Sequence, residues 1–138
     1  MDKKELLKVV GSILWWAEGS KSRHDKRWKK AVSYPIEITN TDPAIIKLFL
    51  SYITEIVCIP EDKIRVQVQV HANDDVQQLE KFWSHTTGIP ISRFNKTIIR
   101  PVGNKPNKSK GTCKIRCYDK GYYGKIAFDL QEVLSRLS

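Results

Sequence analysis

The sequence predicts an α+β domain in which helices pack on one face of a twisted antiparallel sheet. Three observations lead there. Apolar residues recur at helical spacing in four separate segments, near both ends and twice between. Strand-like alternation fills the intervals, most clearly in IRVQVQVH, residues 64–71. The length of 138 residues, 41% of them hydrophobic, suits one domain spanning 1–138 whose core needs no disulfide or structural metal.

The elements follow in order. Over residues 3–17, Leu6, Leu7, Val10, Ile13, Leu14 and Ala17 predict the first helix, with Gly19 as its stop. Gly11 and Ser12 cost helix propensity in its middle, which is understandable if another backbone must approach closely there, and equally consistent with a tolerated glycine in a core helix. The run KSRHDKRWKK, 21–30, carries six Lys and Arg against one Asp and is too polar for core. It leads into AVSYPIEITN, where Val32, Tyr34, Ile36 and Ile38 alternate with polar positions or proline, so the two stretches predict a basic hairpin. The second helix is capped by Thr41 or Asp42, has Pro43 in its first turn, and buries Ile46, Leu50, Ile53 and Val57.

The strand IRVQVQVH turns Ile64, Val66, Val68 and Val70 to one side and Arg65, Gln67, Gln69 and His71 to the other. Arginine matches guanine O6/N7 and glutamine matches adenine N6/N7, so the polar file suits the major groove of DNA. A third helix, capped by Asn73 or Asp74 and stopped at Gly88, offers Val76, Leu79, Phe82 and Trp83 to the core. Two further strands joined by a basic loop with Lys105, Lys108 and Lys110 predict a second hairpin. In its later strand Cys113, Ile115 and Cys117 point inward, while Lys114, Arg116 and Tyr118 point out. A closing helix over 124–138 buries Ile126, Leu130, Val133, Leu134 and Leu137.

Charge narrows the function. With 24 Lys and Arg against 15 Asp and Glu, the formal charge of +9 calls for a polyanionic partner, nucleic acid or an anionic membrane. No run approaches the roughly 20 apolar residues of a membrane span, and the N-terminus carries Asp2 and Glu5 instead of a signal-peptide pattern, so no membrane partner and a cytoplasmic location are expected. Cys58, Cys113 and Cys117 have no paired spacing with other Cys or His and read as reduced core thiols. His24, His71 and His85 share no metal-ligand spacing, and neither a phosphate-cradling glycine loop nor a Ser/His/Asp set is present. Double-stranded DNA is the expected partner. Lys21, Arg23, Arg27, Lys29 and Lys30 of the first hairpin and Arg100, Lys114 and Arg116 of the second would hold phosphates, while the polar file from Arg65 to His71 reads bases. Glu37, also facing outward, could accept from cytosine N4. Trp28 either stacks on a base or packs beside the hairpin.

GSILWWAEGS, residues 11–20, resembles the LAGLIDADG motif of homing endonucleases, in which a helix ends in a small residue, an acid, Gly and Ser. Ala17, Glu18, Gly19 and Ser20 match its last positions, and ITNTDPAIIKLFL resembles the following strand-to-helix corner. The sequence departs from the motif at Trp15 and Trp16, which replace an aliphatic residue and an acid, and at Ile13, where the motif has glycine. The resemblance implies a saddle-shaped sheet that cuts DNA. It also implies a homodimer, because one motif copy supplies one acid, with Leu7, Gly11, Ser12, Leu14 and Trp15 at the crossing of the two motif helices. Glu18, helped by the carbonyl of Gly19, would then bind Mg²⁺ with its counterpart; Asn40 would orient water and Lys96 would stabilise charge, with Arg93 and Arg100 as rivals. The same scaffold could serve a DNA-binding regulator that does not cut, or an RNA splicing cofactor.

Overall fold

The computed structural model describes residues 1–19, 23–24, 32–102 and 110–138. Helix α1 (Lys3–Glu18) starts at Asp2, whose side chain accepts from the Glu5 amide, and ends where the Gly19 amide bonds the Trp15 carbonyl. Short strands β1 (Arg23–His24) and β2 (Val32–Ser33) pair antiparallel. Strand β3 (Pro35–Asn40) leads into α2 (Pro43–Ser51), capped by Asp42 with proline in the first turn. A π-helical turn, Tyr52–Ile56, continues α2. There follow β4 (Arg65–His71), α3 (Val76–Thr87), β5 (Ile98–Arg100), β6 (Thr112–Tyr118) and α4 (Lys120–Leu137). None of the helices among the described residues is long and apolar enough to cross a membrane.

The main sheet runs β3-β6-β4-β5. β6 lies at its centre, antiparallel to β3 and β4, with Ile38 opposite Ile115 and Val66 opposite Ile115. The sheet is mixed, not wholly antiparallel, and 98–118 is not a hairpin: β5 pairs parallel with β4, placing Val70 opposite Ile99. The cause is α3, which carries the chain back to the start of β4 as a parallel crossover requires. Ile36, Ile38, Val66, Val68, Val70, Cys113 and Ile115 make one buried face, covered by α1, α2 and α4.

Packing on that face fixes α1. A Cβ added at Gly11 would lie 2.0 Å from the Tyr52 ring, so the glycine lets the π-helical turn press against α1. The Tyr52 hydroxyl donates to Asp129 Oδ2 of α4 at 2.8 Å, and burial together with that carboxylate raises its pKa above the ordinary phenol range. The pair ties α1, α2 and α4 together through one buried hydrogen bond. Trp15 packs edge-on against Tyr123 of α4 with ring centroids 5.2 Å apart.

Several sequence expectations need correction. Leu137 is exposed, because α4 runs past the edge of the core. Cys58 is also exposed, at a positive φ of 65° where the chain leaves the π-helical turn; only Cys113 and Cys117 are core thiols. α3 is capped by Asp75, whose side chain accepts from the Gln78 amide; Asp74 instead accepts from the His71 amide at 2.7 Å, and Gly88 ends the helix at φ 73° as expected.

Candidate nucleic-acid interface

The face of the sheet turned away from the helices carries the outward residues of every strand. Register sets Glu37 opposite Arg116 and Thr39 opposite Lys114 on one side of β6, and Arg65 opposite Arg116 and Gln67 opposite Lys114 on the other. β5 adds Arg100 opposite His71. Period-two alternation therefore assembles residues from four strands into one basic surface.

Side-chain contacts divide that surface. Arg116 is held from three sides: Nη1 donates to Gln67 Oε1 at 3.4 Å, Nη2 donates to the Tyr118 hydroxyl, and Nε lies 3.9 Å from Glu37 Oε2. Its guanidinium also lies 5.1 Å from the Tyr118 ring centroid. Glu37 is only 7% exposed, beneath Arg116 and Tyr118, whose hydroxyl donates to it at 3.4 Å. It is thus a buried counter-charge for Arg116, not a group presented to cytosine. Gln67 is occupied at both ends, because its Nε2 also donates to the Lys96 carbonyl at 3.0 Å. Arg65 folds back onto the Asp62 and Ile64 carbonyls at 2.5 and 3.1 Å. Arg100 Nε donates to Gln69 Oε1 at 3.0 Å, and Lys114 stands half-buried in the middle of the face. Lys21, Arg27, Lys29, Lys30 and Trp28 lie outside the described residues, as do the side chain of Arg23 and the loop lysines Lys105 and Lys108.

Glu18 is exposed at the last position of α1. Gly19 pairs as an antiparallel bridge with Ile38, so the end of α1 docks on the β3 edge close to Thr39 and Asn40. A Cβ on Gly19 would meet the Trp15 carbonyl at 2.5 Å and that of Glu37 at 3.0 Å; glycine is what permits the approach. Asn40 Oδ1 accepts from the Asp42 amide at 2.9 Å, giving it a role at the entry to α2. Lys96 does not join this corner. It follows Phe94, which bridges to Val66 on the far side of β4, so β6 and β4 intervene. Three strand spacings make that backbone separation about 14 Å. Among the described residues, Lys114 lies on the strand beside this corner, opposite Thr39. Arg93 is distant as well and lies 3.6 Å from Glu61.

Four residues expected at a crossing between two chains are buried within one: Leu7, Gly11, Ser12 and Trp15, with Leu14 partly buried. Gly11 meets Tyr52, and Trp15 meets Tyr123. The side of α1 left outside is nonetheless apolar. Leu6, 50% exposed, and Val10, 38% exposed, line up with exposed Ala17 through Ile13, itself partly buried against the core, along a helical stripe that ends beside Glu18. Trp16, 51% exposed, flanks it. The signal was present in the sequence as apolar residues spaced around more than one side of the helix; periodicity alone did not say which side faces the core.

Among the described residues no cluster of three or more His, Cys, Asp or Glu side chains could hold a metal ion. The single carboxylate of Glu18 fits a divalent cation only where a second Glu18 and phosphate oxygens complete the donor set. No protein-family model matches the chain, and comparison with curated proteins and with solved structures finds no match.

Proposed function

We propose that the chain is a homodimeric, metal-dependent DNA endonuclease of the LAGLIDADG type, cutting both strands of a near-palindromic duplex site. The observation that carries this reading is the end of α1: an exposed acid, Glu18, sits where the helix dipole disfavours it, and an exposed apolar stripe on the same helix leads up to it. Two chains paired along Leu6, Val10, Ile13 and Ala17 would bring two such acids to a twofold axis. Their sheets would then form a continuous saddle whose basic face meets DNA.

The two Glu18 carboxylates would hold a divalent cation, which would supply Lewis acidity towards the scissile phosphates. The chain's own residues do the remainder. Glu18 contributes the carboxylates. Asn40, near the same strand edge, can hydrogen-bond water through its amide NH₂ while its oxygen stays on the Asp42 amide. Among the described lysines, the strand position of Lys114, opposite Thr39, supports stabilising charge at the phosphate better than that of Lys96.

The test is cleavage of a randomised duplex library in Mg²⁺, with Ca²⁺ as a non-cleaving control. Wild-type protein should give Mg²⁺-dependent double-strand cuts within an enriched site. Glu18→Gln should still enrich that site while cutting at least 100-fold more slowly, a loss of about 3 kcal/mol in transition-state stabilisation. Enrichment without cutting by the wild type would support the second reading, a DNA-binding regulator. The observation favouring that reading is Trp16, an exposed tryptophan where the motif has a second acid.

A further inference from the structure

The four arginines on or beside the sheet are held differently, and the difference decides which can read a base. Guanine is recognised by two parallel N–H donors aimed at O6 and N7. Arg116 has all three guanidinium nitrogens engaged by Gln67, Tyr118 and Glu37. Arg65 turns its Nη1 onto the carbonyls of its own turn, and Arg93 lies against Glu61. Among the described arginines of the sheet, Arg100 is the one fixed through Nε, by Gln69 Oε1 at 3.0 Å, with its two terminal nitrogens engaged by no other described residue. It is exposed on the outer side of β5, opposite His71.

Glutamine recognition of adenine requires Oε1 to accept from N6 while Nε2 donates to N7. Gln69 has committed Oε1 to Arg100. Gln67 has committed both ends, to Arg116 and to the Lys96 carbonyl. Each amide keeps a spare lone pair or hydrogen, so an adenine pair would have to share these groups with their partners in the chain and accept the orientation those partners impose. The glutamines of β4 thus hold arginines of the neighbouring strands in place.

We infer that Arg100 reads one guanine in the bound duplex through its terminal nitrogens, and that Gln69 is a positioning residue acting through it. This rests on the proposed DNA-binding function and names the base that part of the face selects. Holding Nε removes rotamer freedom from a long side chain before binding, so the fork meets the base edge already aimed.

The experiment is binding of wild-type protein and the variants Arg100→Ala, Arg100→Lys, Gln69→Ala and Gln69→Glu to a randomised duplex library in Ca²⁺, read as preference at each base pair. Wild type should prefer guanine at one position per half-site. Arg100→Ala and Arg100→Lys should each lose that preference, by roughly 5- to 150-fold, as a bidentate pair is worth. Gln69→Ala should weaken preference at the same position, with the Gln69→Ala/Arg100→Ala double variant no worse there than Arg100→Ala alone. Gln69→Glu, whose carboxylate can still accept from Nε, should retain it. Loss of an adenine preference at a different position in Gln69→Ala would overturn the inference. So would equal weakening on all sequences in Arg100→Ala, which would make Arg100 a phosphate contact. Failure of the wild type to enrich any duplex would defeat the DNA-binding reading itself, and is distinguishable because it precedes any variant.

Discussion

At the scale of single residues, Gly11 shows how a small side chain became a point of assembly inside the chain. Its missing Cβ is the space into which the Tyr52 ring fits, and the atoms it would meet are Tyr52 Cγ and Cβ, near the backbone, not the movable end of a long side chain. Relief would require α1 and the π-helical turn to separate. Gly11→Ala should therefore destabilise the fold by about 1 to 3 kcal/mol despite the better helix propensity of alanine, read as a lower urea midpoint at unchanged m-value. A variant as stable as wild type would mean that the contact is looser than the packing implies. Propensity alone left Gly11 and Ser12 open between a close approach and a tolerated glycine in a core helix. It could not say that what approaches is a side chain of the same chain, because the partner, Tyr52, lies some forty residues away and carries no local mark.

At the scale of elements, helices and strands were largely legible and their pairing was not. β4 and β6 follow a strict two-residue period, and their inward residues are buried as the period demands. The parallel placement of β5 was hidden, since three residues of strand contain no record of which neighbour they join. The π-helical turn was likewise invisible: its apolar spacing suits a continued α-helix, and only the Val57 amide bonding the Tyr52 carbonyl reveals it. In the candidate site, the alternation found the outward face. It could not show that Gln67 and Glu37 are engaged by Arg116, because those contacts run between strands.

The centrality of β6 has a measurable consequence. Burial pushes the Cys113 thiol up from about 9 to about 12. In the unfolded chain the thiol loses its proton near pH 9 while the folded chain retains it, so the unfolded state binds fewer protons above that pH and stability falls as pH rises. This contribution should be intact below pH 9 and lost progressively between about 9 and 12, reaching at most about 4 kcal/mol. Tyr52, whose pKa is also raised, adds a separate loss above pH 10. The difference between wild type and Cys113→Val in chemical denaturation across pH 8 to about 11 isolates the thiol; parallel curves would remove Cys113 as the source.

At the scale of the whole molecule, the proposed chemistry depends on something a single chain does not contain. One exposed carboxylate stands at the end of α1, and the residues once expected to join two chains are instead part of the core. What α1 leaves outside is Leu6, Val10 and Ala17, in line with Ile13, which is partly buried against the core. The helix thus uses one side to hold its own fold and leaves apolar residues on a second side, which the proposed twofold contact would cover. Because Leu6 and Val10 are already 50% and 38% exposed, replacing both by lysine should leave the fold intact, with unchanged far-UV circular dichroism and a urea midpoint close to wild type. Association should suffer instead, since a pair of ammonium groups from each chain would meet across the axis. Loss of a central anchor costs about 2 kcal/mol or more, so the dimer dissociation constant should rise by roughly 30-fold or beyond. Mass in solution should shift towards the monomer, and Mg²⁺-dependent double-strand cutting should fall with it, because each Glu18 then lacks its counterpart. A folded variant that remains dimeric would place the twofold contact elsewhere. One that becomes monomeric and still cuts both strands would remove the paired-carboxylate mechanism.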